Sequence, residues 1–113
     1  MSVLHKNKEI YNCAFILLVH LILQASERRT THPWGLAIFN SLAQIQKINQ
    51  ESQATGDELS KEQLMGILES AYETALVNAV VEAWGGIYKP EQLGSMVDRD
   101  EIIREAIAMI IAE

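Results

Sequence analysis

One cysteine and one histidine in an apolar segment are the first candidates for chemistry in this sequence. Cys13 and His20 lie seven residues apart in the run 11–23, so a helix would place both on one side. A thiol and an imidazole form a reactive pair only at hydrogen-bond distance. Seven residues of helix separate their backbones by about 10.5 Å, which is too far. We therefore interpret Cys13 as a structural thiol and His20 as a buried, neutral core histidine.

Two pairs of side chains have the spacing of metal ligands on a helix. His5 and Glu9 stand four residues apart, and so do Glu69 and Glu73. Carboxylate-bridged metal bundles use a Glu-x-x-His motif on facing helices, and this sequence has none. The acidic run 98–101 lacks the glycine and the final glutamate of a calcium-binding loop. The sequence therefore predicts no metal site and no cofactor.

The glycine and aromatic residues offer no catalytic motif. The pair Gly85-Gly86 is not part of a phosphate-binding loop, since such a loop opens a helix and this pair follows a predicted one. A Gly-x-Ser-x-Gly nucleophile motif is also missing from the sequence. Without a catalytic constellation we expect a non-enzyme. The residues that could line a small-molecule pocket are His20, Gln24, Trp34 and Trp84.

Helical periodicity accounts for nearly the whole chain. Apolar residues recur at steps of three and four in four segments, which predict helices at about 7–25, 33–53, 60–84 and 98–112. No alternating pattern predicts a strand. We expect an all-α, bundle-like fold in which residues 1–113 form a single domain.

The predicted helices have recognisable start and stop signals. Ser60 with Gln63 matches a capping box, and Asp98 followed by Glu101 repeats that pattern. Pro33 suits a first helical position, and the glycines at 85–86 suit the left-handed end of a helix. A further turn after Pro90 fits the connector between the third and fourth helices.

The first predicted helix is too apolar to have an ordinary solvent face. Residues 11–23 read YNCAFILLVHLIL, with apolar groups on nearly every side. Such a helix must be central in its own chain or lie at a dimer interface. The third helix carries an alanine every fourth residue, which lets another helix approach and predicts a close helix–helix contact at Ala75 and Ala79. The fourth helix ends in an apolar run. We therefore predict interface residues at Ala71, Ala75, Ala79, Ala83, Ile107, Ile110 and Ile111.

Charge and composition argue against nucleic acids and membranes as partners. The net charge is −6, with +2 in residues 1–29 and −8 in the remainder. An acidic body repels phosphates, so we expect no nucleic-acid partner. The apolar run is shorter than the roughly 20 residues of a membrane span. Leu23 also stands where a signal-peptide cleavage site would need a small residue. A lone cysteine is typical of a reducing compartment, so we expect a cytoplasmic protein without a membrane partner.

These observations leave three hypotheses for function. The first is a non-enzymatic interaction protein, acting as a homodimer in the role of adaptor, regulator or assembly factor. The second is a helical bundle that binds a small ligand or a lipid, with the first helix lining the cavity. The third and weakest is an enzyme subunit whose site is shared between chains. Over-apolar first and fourth helices favour the first hypothesis, because a two-fold contact would bury both.

Overall fold

A computed structural model of the chain describes the backbone of residues 3–112 and the side chains of residues 7–112. Within that part of the chain every regular element is helical. The elements are α1 (Val3–Glu27), α2 (His32–Glu51), α3 (Lys61–Ala79), α4 (Pro90–Ser95) and α5 (Arg99–Ile111), with 3₁₀ turns at Ser52–Thr55 and Ala83–Gly86. The prediction of an all-α, bundle-like fold with four main helices is confirmed.

Helix α1 is the centre of the bundle, which is one of the two positions that its composition allows. It packs against α2, α3 and α5. Eight of its apolar side chains are buried, and five large ones are less than 2% exposed, namely Ile10, Leu17, Leu18, Ile22 and Leu23. A helix with neighbours on three sides can bury apolar groups over most of its circumference. Its burial within one chain therefore accounts for the composition of the run 11–23.

The segment Asn7–Glu27 of α1 is also long and apolar enough to cross a membrane by length and composition alone. Half of the window that passes this criterion is buried inside the bundle. The core helix of a globular protein has this same composition, so the segment assigns no membrane role.

Helices α2 and α3 both pack on α1. Side chains of α2 also form hydrogen bonds with the residues just before and just after α3. Near the end of α2, Asn49 accepts a hydrogen bond from the Leu59 N–H at 2.6 Å and donates one to the Leu59 carbonyl at 3.3 Å. At the other end, the Trp34 indole N–H donates to Glu82. These bonds place the start of α2 beside the end of α3, so the two helices run antiparallel.

A further set of hydrogen bonds positions the end of α5. The side-chain amide of Gln46 in α2 donates to the carbonyl of Met109 at 3.3 Å and to that of Ile110 at 3.2 Å. The last carbonyls of a helix have no partner within it. Gln46 therefore supplies a donor to a helix end that would otherwise depend on water.

The predicted caps are present. Ser60 Oγ accepts from the Gln63 N–H at 3.2 Å, and Gln63 Oε1 accepts in return from the Ser60 N–H at 2.8 Å. Asp98 accepts from the Glu101 N–H at 3.1 Å. Each bond gives a partner to a backbone N–H that the first turn of a helix leaves free. The turn predicted after Pro90 is helix α4.

The third predicted helix is shorter than its sequence pattern indicates. The pattern predicts a helix as far as Trp84, but α3 ends at Ala79 and a turn leads into the 3₁₀ segment Ala83–Gly86. Ala83 is buried there, and the Trp84 N–H bonds to the carboxylate of Glu27 in α1. This tertiary bond replaces the helical continuation that local sequence favours, because a packed contact outweighs a weak residue propensity.

Candidate functional site

A hollow lies at the end of the bundle where α1 ends, α2 begins and the chain after α3 turns back. We call it the tryptophan groove. It has a volume of about 590 Å³ and is lined by His20, Glu27, Arg29, Thr31, Pro33, Trp34, Glu82, Trp84 and Gly85. Three of the four predicted pocket residues, His20, Trp34 and Trp84, therefore come together in one place. The fourth, Gln24, is not in the lining and donates a hydrogen bond to Thr30 at 2.7 Å.

Glu27 is the structural centre of the groove. Its side chain is only 7% exposed, and its carboxylate accepts hydrogen bonds from the Trp84 N–H at 3.0 Å and from Arg29 Nε at 2.8 Å. The backbone bond from Trp84, helped by Arg29, holds the pKa of this carboxyl below its ordinary value, although burial acts in the opposite direction. A carboxylate with two such donors stays charged and ties the end of α1 to the turn after α3.

Trp34 is held on two sides. Its indole N–H donates to Glu82 Oε2 at 2.5 Å, and the Arg29 guanidinium lies over its ring at 5.0 Å from the centroid. This residue is nearly buried, at 5% exposure, so its ring forms the floor of the groove. A guanidinium over an indole is a favourable cation–π arrangement.

Trp84 has an unusual backbone and an exposed side chain. Its φ is +53°, in the left-handed region that a bulky aromatic residue rarely adopts, and the residue is 43% exposed. Gly85 and Gly86 continue the left-handed path at φ values of +71° and +81°. A Cβ at position 86 would lie 3.0 Å from the Val81 carbonyl oxygen, so glycine is needed there. The hydrogen bond to Glu27 helps to offset the strain at Trp84.

A second hollow adjoins the groove and shares Glu27 and Trp84 with it. It has a volume of about 530 Å³ and is lined by Ser26, Glu27, Arg28, Trp84, Ser95 and Met96. Trp84 therefore stands as a partition with open space on each side. The sequence shows two glycines after a tryptophan, but it carries no signal that Glu27 on a distant helix would fix that turn.

The structure corrects the prediction that His20 is buried. His20 is partly exposed because it lies on a strip of α1, with the 41%-exposed Ile16, that no other helix covers. Its Nδ1 is 2.8 Å from the Ile16 carbonyl oxygen, so this nitrogen carries a proton and donates. Cys13 is also partly buried, and burial together with the charge of Glu9 raises the pKa of its thiol. A thiol in such surroundings is a poor nucleophile.

The predicted interface residues divide into two groups. The four alanines are at most 1% exposed, so the stripe faces the chain's own interior rather than another molecule. Ile107 and Ile110 are buried as well, at 5% and 7%. These six side chains, those of Ala71, Ala75, Ala79, Ala83, Ile107 and Ile110, are therefore covered within one chain and not exposed to a second copy. The close helix–helix contact predicted at Ala75 and Ala79 lies inside the bundle, where α3 packs on α1 and α5. Ile111 is exposed, at 47%, and it lines a hollow of about 490 Å³ at the opposite end of the bundle.

The candidate metal ligands do not form a cluster in the part of the chain that the structure describes. Among the residues that the structure describes, no group of three histidine, cysteine, aspartate or glutamate side chains is placed to hold an ion. The side chain of His5 lies outside the described residues, so the predicted pair with Glu9 has no geometry to report. Glu69 and Glu73 both lie on the exposed side of α3.

Comparison with known proteins adds no family to this description. No protein-family model, no curated protein and no solved structure matches the chain.

Proposed function

We propose that this chain is a non-enzymatic helical interaction protein that acts as a homodimer, in the role of an adaptor, regulator or assembly factor. The observation that carries the proposal is the concentration of exposed apolar side chains in one stretch of the chain, from the end of α3 through the turn to α4. Five of the nine large apolar side chains exposed in the described residues fall between positions 77 and 96. They are Val77, Val81, Trp84, Ile87 and Met96, which we call the end surface.

The end surface has the composition of a binding site. Val81 is 78% exposed and Ile87 is 72% exposed, values that are costly for apolar groups in water. Tryptophan is enriched among the residues that dominate binding energy at interfaces. Trp84 is also held in a strained backbone conformation, and such strain clusters at functional sites. Burial of this surface by a partner would remove its apolar groups from water.

Charge indicates where two copies of the chain would meet with least repulsion. The whole molecule carries a net charge of −6, so two copies repel each other over most of their surfaces. Beside Trp84 the charges cancel, because Arg28 and Arg29 offset Glu27 and Glu82. A locally neutral apolar surface is where two such molecules meet with least repulsion.

Sedimentation of matched variants tests the proposal. We expect the wild-type chain to form a dimer below about 100 μM, and Val81→Glu to convert it to a folded monomer because it places a charge in the contact. Phe39→Glu is the control, since Phe39 is 68% exposed on α2 and lies outside the end surface. A wild-type chain that sediments as a monomer throughout this range would refute the proposal. Dissociation by Phe39→Glu instead of Val81→Glu would refute the choice of surface.

A second candidate function is the binding of a small ligand. It is favoured by the convergence of His20, Trp34 and Trp84 on one groove with space of about 590 Å³. Binding pockets typically combine aromatic walls with a few fixed polar groups, as this groove does.

A further inference from the structure

The position of Arg29 shows which chemistry the tryptophan groove can hold. Its guanidinium lies over the Trp34 ring at 5.0 Å, and its Nε donates to Glu27 at 2.8 Å. A planar cation thus occupies a cleft between an aromatic face and a largely buried carboxylate. Arg29 lies in the short connection between α1 and α2, and its side chain is 55% exposed. More than half of its side-chain surface therefore faces solvent.

We infer that the tryptophan groove is a recognition site for the guanidinium group of an arginine side chain on a partner protein, and that Arg29 is a tethered occupant of this site. The inference rests on the ligand-binding candidate above and specifies the class of its ligand. It does not depend on self-association, which the sedimentation experiment measures separately.

The tryptophan groove is preformed, because bonds within the chain fix its side chains. The Glu27 side chain is 7% exposed and charged, and its position is held by the Trp84 N–H from across the bundle. Trp34 is fixed from the opposite side by the bond between its indole N–H and Glu82. Preformed acceptors and a preformed ring reduce the entropy that binding would cost.

The donor pattern favours guanidinium over other ions. Its flat face stacks on an indole while its edge donates to carboxylates, whereas an ammonium group has no flat face to stack. Two carboxylates, Glu27 and Glu82, line the groove, so an anionic ligand would be repelled once Arg29 has been displaced from it. Glu82 is exposed and accepts from Trp34 through one oxygen, Oε2, which leaves its second oxygen to receive a donor.

The contacts of Arg29 are weak enough for another guanidinium group to displace it. Arginine and carboxylate pair most strongly through two parallel hydrogen bonds, and the bond of Arg29 to Glu27 is a single one. A partner's arginine that paired with both Glu27 and Glu82 would form hydrogen bonds that Arg29 does not form. Because Arg29 is tethered, it competes at an effective concentration in the millimolar range, and any ligand must displace it.

Chemical rescue of an arginine variant tests the inference. The chain has two tryptophans, so a ¹⁵N-labelled sample shows two indole N–H signals, which Trp84→Phe assigns. In Arg29→Ala we expect the Trp34 signal to move, and to return saturably towards its wild-type position when ethylguanidinium is added. In wild-type protein, where Arg29 already fills the site, the same ligand concentrations should leave the Trp34 signal almost unchanged.

Four further measurements make the outcome specific. Ethylammonium at equal ionic strength should not restore the signal, and Arg28→Ala, which alters the neighbouring exposed arginine, should behave as wild type. A short blocked peptide, glycine–arginine–glycine, should bind at least as tightly as ethylguanidinium. Arg29→Gln repeats the titration in a variant that keeps a long side chain and a donor, in case the alanine variant is unfolded.

Defined results overturn the inference. Absence of saturable recovery in both Arg29 variants would show that Arg29 has a purely structural role. Equal recovery with ethylammonium would show a general cation site. Recovery with ethylguanidinium but not with the peptide would overturn the partner's arginine as the source of the ligand. A monomeric wild-type chain would refute the homodimer and leave this inference standing.

Discussion

The carboxylate of Glu27 accepts the backbone N–H of Trp84 at 3.0 Å, across 57 positions of sequence. This bond joins the last residue of α1 to a left-handed turn that follows α3. It holds the strained Trp84 between the two hollows. The same carboxylate accepts a second bond from Arg29, whose guanidinium lies beside Trp34.

Acid should weaken the fold through Glu27. Because the Trp84 N–H and Arg29 lower its pKa in the folded chain, Glu27 stabilises the protein above its ordinary pKa of 4.5, and that contribution is lost as pH falls through the lower folded value. We expect Glu27→Gln to lower the midpoint of thermal unfolding at neutral pH and to lose less stability than wild type on acidification. Parallel pH curves for the two proteins would contradict this assignment.

Arg28 occupies the left-handed position directly after α1, with φ of +54°. Glycine adopts this conformation without the Cβ penalty, although it loses more entropy on folding. We expect Arg28→Gly to raise the free energy of unfolding by about 0.5–1 kcal/mol, measured by urea denaturation. Arg28→Ala keeps the Cβ and should bring no such gain.

Ala75 is fully buried on the packed face of α3. Three added carbon atoms have no room in a close-packed interior, so Ala75→Leu should cost about 1–3 kcal/mol of stability. Thr74, its neighbour on the exposed side of the same helix, provides the control. Thr74→Leu introduces the same side chain into open space and should change stability by less than about 0.5 kcal/mol. A thermal melt that shows equal losses at both positions would contradict the packing of this face.

The end of α5 offers a contrast between adjacent isoleucines. Ile110 is 7% exposed and Ile111 is 47% exposed. Ile110→Asp should unfold the chain, because a buried unpaired carboxylate costs several kcal/mol. Ile111→Asp should cost less than about 1 kcal/mol, as exposed substitutions usually do. Circular dichroism of the two variants under one set of conditions would separate these outcomes, and similar losses would place Ile111 in a contact.

The fold class could be predicted from sequence because the signals for it are local. Periodicity at steps of three and four defines the helical segments, and the caps at Ser60 and Asp98 act over three residues. That α1 would be surrounded was also predictable, since a segment apolar on nearly every side has to be covered. Its composition left open whether its own chain or a second copy covers it. Three of the pocket residues could be named from type alone, because tryptophan and histidine commonly line binding sites.

Which apolar surfaces remain exposed depends on how the helices pack. The alanine stripe, Ile107 and Ile110 turn inward because α1, α3 and α5 bury one another, whereas Val77, Val81 and Ile87 remain outside. The early end of α3 and the exposure of His20 have the same origin. The bonds of Glu27 to Trp84 and of Trp34 to Glu82 join residues far apart in sequence. No local pattern encodes such pairs, because their energy exists only once the helices have packed.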